Sequence, residues 1–201
     1  YKGQMYEGGI RVPGLIEWPA RIPTARVSKV NAVTSDMLPT LCTLTGQALP
    51  DRPLDGIDLT PLIDGKMKKR PSPICFWSFD TKRLAGQNLK PYIDPELQKG
   101  TTPLVKLMKG IATRNFQNYH HPKITEEDFA GSRVILDNQY KLVVGKGQGN
   151  EAPRELFDLR RDPAEKNNLI ESRLGVASRL EKALRTWQQS ALNSLTGADY
   201  H

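Results

Sequence analysis

Ala177, Leu180, Leu184, Trp187 and Ala191 recur at spacings of three and four, which lines these apolar side chains along one face of a helix. Arg179, Glu181, Lys182 and Arg185 fall elsewhere around the same helix. A stripe of this kind needs a surface to cover, and the preceding segments supply one. Arg133 to Leu136, a turn at Asp137-Asn138, and Tyr140 to Val144 read as a β-hairpin. Glu155 to Leu159 reads as another strand after a glycine-rich turn, and the aromatic run Ile74 to Phe79 as one more. The predicted module is a small antiparallel sheet of about four strands packed on a long C-terminal helix over 171–195.

The earlier part of the chain has a different character. Ile10 to Trp18 is apolar and loosely alternating, and predicts a short buried strand entered through a Gly8-Gly9 turn. Ser35 or Asp36 can cap a helix that runs to Gly46, with Met37, Leu38, Leu41 and Leu44 as its stripe. Pro39 falls in the first turn, where its missing N–H is tolerated. A second short helix is expected from Leu59 to Ile63, capped by Asp58 and stopped by Gly65. From 80 to 131 no period survives apart from a helical fragment at Leu104 to Met108. A gap of about fifty residues is long for an ordinary connection. The chain therefore divides at about residue 70, with 1–70 and 71–201 as separate units and 80–131 as an insertion in the second.

Hydrophobic residues make up 38% and charged residues 25% of the sequence, values typical of a globular domain rather than a disordered chain. No apolar run approaches the roughly 18–20 residues of a membrane span. The net charge of +7 favours anionic partners such as sulfated glycans, nucleic acid or acidic membranes. The densest basic run, Lys66 to Arg70, lacks interleaved aromatics and reads as a solvated turn. No recognition-helix or RNA-binding signature argues for nucleic acid. Cys42 and Cys75 sit in apolar surroundings without metal-ligand spacing. They read as buried free thiols, with a long-range disulfide as the alternative.

Four stretches recur together in one known family. They are Lys2-Gly3-x-x-Tyr6-Glu7-Gly8-Gly9-Ile10-Arg11-Val12-Pro13 with Trp18-Pro19; Ser35-Asp36-Met37-Leu38-Pro39-Thr40-Leu41; Arg52-Pro53-Leu54-Asp55-Gly56-Ile57-Asp58-Leu59; and Tyr140-Lys141-Leu142 followed by Glu155 to Leu159 and Asp162-Pro163-Ala164-Glu165. In this order they resemble the C-terminal region of a type I sulfatase of the alkaline-phosphatase superfamily. The resemblance implies an α/β fold, α+β within this stretch. Residues 1–70 would close the edge of the large catalytic sheet and 71–201 would form the small sheet-and-helix subdomain. It also implies sulfate-ester hydrolysis by a formylglycine nucleophile with calcium, and a periplasmic or secreted location.

The sequence holds no Cys/Ser-x-Pro/Ala-x-Arg motif from which formylglycine could be made. Nucleophile and metal ligands are therefore expected upstream, with no metal held by this chain and no activity from it alone. The missing N-terminal catalytic part becomes its expected partner, and the first unit should expose surface that packs there. The resemblance makes Lys2 the substrate-sulfate contact, a role that suits a compact ammonium. Glu7 and Arg11 are expected to pin the Gly8-Gly9 turn by a charge-assisted hydrogen bond. Asp36 is read as a helix N-cap, and Asp162-Pro163-x-Glu165 as a turn rather than a metal motif.

Arg83, Lys90, Arg114, His120 and His121 lie in the long insertion. They are either a polar loop or the rim of a substrate entrance that meets anionic sugar. Two readings compete with the sulfatase. One is a phosphatase or phosphonate hydrolase of the same superfamily, and the other a non-catalytic module that binds polyanions.

Overall fold

The computed structural model describes residues 3–79, 123–147 and 151–199. Four strands form one antiparallel meander in the order β1-β2-β3-β4: Ile74–Trp77, Arg133–Asp137, Tyr140–Val144 and Arg154–Asp158. Register follows the hairpin, with Asp137 opposite Tyr140 and Ile135 opposite Leu142. Asn138 opens the two-residue turn at a φ of 54°, a left-handed conformation that asparagine tolerates better than most side chains.

Both faces of the sheet are covered, and the covers differ. Ile135, Leu142, Val144 and Leu156 pack against Ala177, Leu180 and Leu184 of the C-terminal helix, Leu174–Thr196. Its buried line continues through Gln188 and Leu192 rather than Trp187 and Ala191. Trp187 lies at the margin, where it donates to Asp55 Oδ1 at 2.9 Å. The opposite face, built from Val134, Val143 and Phe157, is covered by Met5 and Ile10 from the start of the chain. Burial of this kind stabilises by about 25 cal/mol per Å² of apolar surface.

Residues before β1 contain three short helices: Glu7–Ile10 (α1), Met37–Thr45 (α2) and Thr60–Ile63 (α3), with the C-terminal helix as α4. Gly46 ends α2 at a φ of 69°, as a left-handed C-cap should. Asp58 accepts hydrogen bonds from the Thr60 N–H and hydroxyl at the start of α3. A 3₁₀ turn, Thr34–Asp36, precedes α2.

Several sequence expectations need correction. Ile10 to Trp18 does not form a buried strand: Val12, Leu15 and Ile16 are exposed, Leu15 at 94%, and no strand among the described residues pairs with them. A lone extended segment has no ladder to join and so cannot become a strand. The Gly8-Gly9 pair makes no left-handed turn, since neither residue has positive φ and a Cβ on Gly8 would meet nothing. Asp36 stands at the N-cap position of α2 but makes no cap bond to that helix. Its carboxylate is buried and serves other donors. The α2 stripe of Met37, Leu38, Leu41 and Leu44 is exposed, Met37 at 56%.

The aperiodic stretch also ends earlier than 131. Glu126–Phe129 form a 3₁₀ turn with Asp128 and Phe129 buried. Gln188 of α4 donates to the Phe129 carbonyl at 3.2 Å. The helical fragment expected at Leu104 to Met108 lies outside the described residues. Cys42 and Cys75 are free thiols. Burial, and then the nearby Asp55 charge, push the Cys75 thiol up to about 12. No helix among the described residues is long and apolar enough to cross a membrane.

Candidate functional site

Lys2, Arg83, Lys90, Arg114, His120 and His121 lie outside the described residues. Glu7, Gly8, Gly9 and Arg11 are described, in and immediately after the single helical turn of α1. Arg11 does not pin that turn by a hydrogen bond. Its guanidinium stands 3.8 Å from Glu7 Oε2, and the side chain is 72% exposed. Ion pairs of that geometry contribute little.

The strong partners of Glu7 come from far along the chain. Lys141 points from β3 toward the face that carries Val143 and Phe157, and it is 0% exposed. Its Nζ lies 3.1 Å from Glu7 Oε1 and 2.7 Å from Glu165 Oε1. The first contact is a hydrogen bond, whereas the second is an ion pair off the line of one. Glu165 Oε2 also accepts the Glu7 backbone N–H at 2.7 Å. One ammonium and two carboxylates thus close a ring that joins residues 7, 141 and 165. The donation to Glu165 also satisfies one of the N–H groups that a helix start leaves open.

Local chain geometry places each member. Lys141 sits between Tyr140 and Leu142 in a strand whose register is set by the Asn138 turn. Glu165 lies in a loop closed by Asp162, whose carbonyl accepts the Glu165 N–H at 3.2 Å and whose Oδ2 accepts the Asn167 N–H at 2.7 Å, so the turn expected from Asp-Pro is present. Glu165 itself adopts a φ of 54°, a left-handed conformation uncommon for a residue with a long side chain.

Tyr6 adds a further tie. Its hydroxyl donates to Glu155 Oε2, and its ring meets Phe157 edge-on with centroids 6.4 Å apart. That bond, then burial and the charges of Glu155 and Glu165, raise the Tyr6 phenol to about 12.

A second polar cluster joins the first seventy residues to the hairpin. Arg70 grips Asp36 through both terminal nitrogens at 2.7 Å, the bidentate geometry that suits a guanidinium. Asp36 also accepts the N–H groups of Val33 and Ile57. Burial pushes its carboxyl up, but the Arg70 fork and these two N–H groups outweigh burial and hold it below the usual range. The Asn138 side chain accepts the Arg70 N–H at 2.9 Å and donates to the Arg70 carbonyl. The Asn138 carbonyl accepts from Asn31. One turn residue therefore fixes two separate segments.

The chemistry of these clusters is that of tethers, since every carboxylate described in them already serves a cation, an N–H or the Tyr6 hydroxyl. Among the described residues no three His, Cys, Asp or Glu side chains converge where a metal could sit. A cleft of about 320 Å³, lined by Tyr140, Asp158, Arg161, Asp162, Asn167 and Arg173 among others, contains none of the candidate catalytic or substrate-contacting residues.

From sequence both Lys141 and Glu165 stand inside shared motifs, Glu165 as part of a turn and Lys141 with no role of its own. Their signal was a lysine in an otherwise apolar strand, one residue from the hairpin's first pair.

Human arylsulfatase A is 43% identical to this sequence over 187 residues, covering 93% of the chain and 31% of that protein. Mouse steryl-sulfatase is 32% identical over 171 residues, covering 84% of the chain and 24% of that protein. A solved 2-O GAG sulfatase superposes with a TM-score of 0.43 at 18% identity, covering 79% of this chain and 25% of its own. No family model matches. The chain spans about a quarter to a third of the length of these curated relatives.

Proposed function

This chain belongs to the sulfatase family, and from that premise we propose that it forms the C-terminal part of a sulfate-ester hydrolase. Lys2 would meet the substrate sulfate, and its ammonium would neutralise an oxygen on which negative charge builds as the ester bond breaks. The nucleophile and calcium ligands would come from sequence outside this chain. When bound there, calcium would polarise the sulfate. The residues of this chain would contribute placement and charge.

The observation that carries this reading is the anchoring of the segment just after Lys2. Met5, Tyr6, Glu7 and Ile10 all contact the small sheet or the turn after β4. A segment held this firmly can present a neighbouring cation in a fixed place, and orientation of that sort supplies much of an enzyme's advantage. The exposed apolar row Val12, Leu15, Ile16 and Val27, together with the open face of α2, supports an N-terminal catalytic part as the covering partner.

The substrate class is a sulfate monoester, on a glycan or a small aryl group. The net charge of +7 favours a polyanionic glycan. The long insertion, with Arg83, Lys90, Arg114, His120 and His121, would then border the entrance.

Peptide mapping of the protein as its source makes it tests the reading. A formylglycine derived from an upstream Cys or Ser, with sulfate released from an ester, supports it. An unmodified Ser or Thr nucleophile with two zinc ions would place the protein among phosphatases. A native chain lacking any nucleophile, yet eluting from heparin only at raised salt, would leave a polyanion-binding module.

A further inference from the structure

The ring of Glu7, Lys141 and Glu165 is costly to build if stability is its purpose. The face around it is apolar, with Val134, Val143 and Phe157 buried beside Met5 and Ile10. An aliphatic side chain at 141 would continue that packing without stripping water from an ammonium. Buried ion pairs of this kind seldom stabilise more than well-packed apolar residues of similar volume. What they add is direction. Lys141 reaches the Glu7 side chain, while Glu165 takes the Glu7 backbone N–H. Together they fix the place of the turn and its rotation, which an apolar contact would leave free to slide. The left-handed φ of 54° at Glu165 points the same way, because uncommon backbone of this sort persists only where surroundings over-determine it.

We propose that Lys141, held by Glu165, is a positioning residue for sulfate-ester hydrolysis: it fixes the seat of the helical turn that begins five residues after Lys2. This inference rests on the reading of Lys2 as the sulfate contact. Lys141 itself touches no substrate, since both of its partners are carboxylates of this chain and its side chain is fully enclosed. Its influence passes through Glu7 and the short stretch of chain before it.

The test is a double-mutant cycle on the full-length protein with an aryl sulfate, read as kcat/KM. Lys2→Ala is expected to lower kcat/KM about 100-fold, the usual size for one charge-stabilising contact. Lys141→Met should lower it about 10-fold in the parent, and less than twofold in the Lys2→Ala background, because a shifted turn cannot matter once the lysine that precedes it is gone. Glu165→Gln, which keeps volume and an oxygen for the Glu7 N–H, should show the same pattern more weakly and carries the test if Lys141→Met fails to fold. An equal fold-loss in both backgrounds, or no loss in the parent, overturns the positioning role and leaves the Lys2 reading standing. Full activity of Lys2→Ala overturns the Lys2 reading itself, and the positioning role with it.

Discussion

Asp36 shows how far a residue's role can sit from its local motif. It occupies a cap position, yet its carboxylate faces inward and takes both nitrogens of Arg70. Nothing local announces this, because the partner lies 34 positions away. Removing the cation should be severe: Arg70→Met leaves a buried carboxylate with two N–H groups and no counter-charge. The loss should be about 3–5 kcal/mol by urea unfolding of the full-length protein. The folded carboxyl is held below its usual value, so the pair's contribution is complete above about pH 4, the ordinary aspartate range. It fades as pH falls through the depressed folded value, and the gap between variant and parent should narrow there. Tyr6 gives the opposite sign. Its phenol is raised to about 12, so its contribution is complete below about pH 10 and is lost as pH rises toward 12. Ultraviolet titration should find a late-ionising tyrosine that Tyr6→Phe removes, and Glu155→Gln should bring it earlier.

At the scale of elements, legibility followed whether the information was local. Helix α4 and the β2–β3 hairpin were plain in the sequence because a stripe or an alternation declares its own period, and because both elements find their cover within the chain. The stretch from Ile10 to Trp18 has a strand's composition but no strand to pair with among the described residues, so composition misled. The turn at 126–129 was missed because four residues carry no period at all. Close approaches are equally silent. Gly56 packs so tightly under the turn before α2 that a Cβ would stand 2.0 Å from the Ser35 carbonyl oxygen. The next residue, Ile57, donates its N–H to Asp36, so the glycine is what lets the two segments meet. Gly56→Ala should therefore cost at least the roughly 1–3 kcal/mol of an overpacked core site. Thermal unfolding should show that loss, whereas Gly8→Ala, with open space around it, should leave the midpoint within a degree or two.

For the whole molecule, the shared motif at the start was legible in the sequence but its support was not. The motif around Glu7 was recognisable as a string, whereas the ring that seats it draws on residues 141 and 165 from two other regions. Such a ring exists only after the sheet has formed, because the strand register is what aims Lys141 at the start of the chain. The same logic explains the exposed faces of α2 and of residues 12–27, which have helix or extended backbone but no cover among the described residues. Both observations support the proposal that the chain completes a larger sulfate-ester hydrolase and holds the segment after Lys2 in place. The most direct measurement is the ratio of kcat/KM for an aryl sulfate to that for the matching aryl phosphonate monoester, with the full-length protein. The expected ratio is well above one, on the order of 100 or more, the discrimination that differential transition-state binding can supply. A ratio below one would contradict it and make the protein a phosphonate or phosphate ester hydrolase built on the same frame.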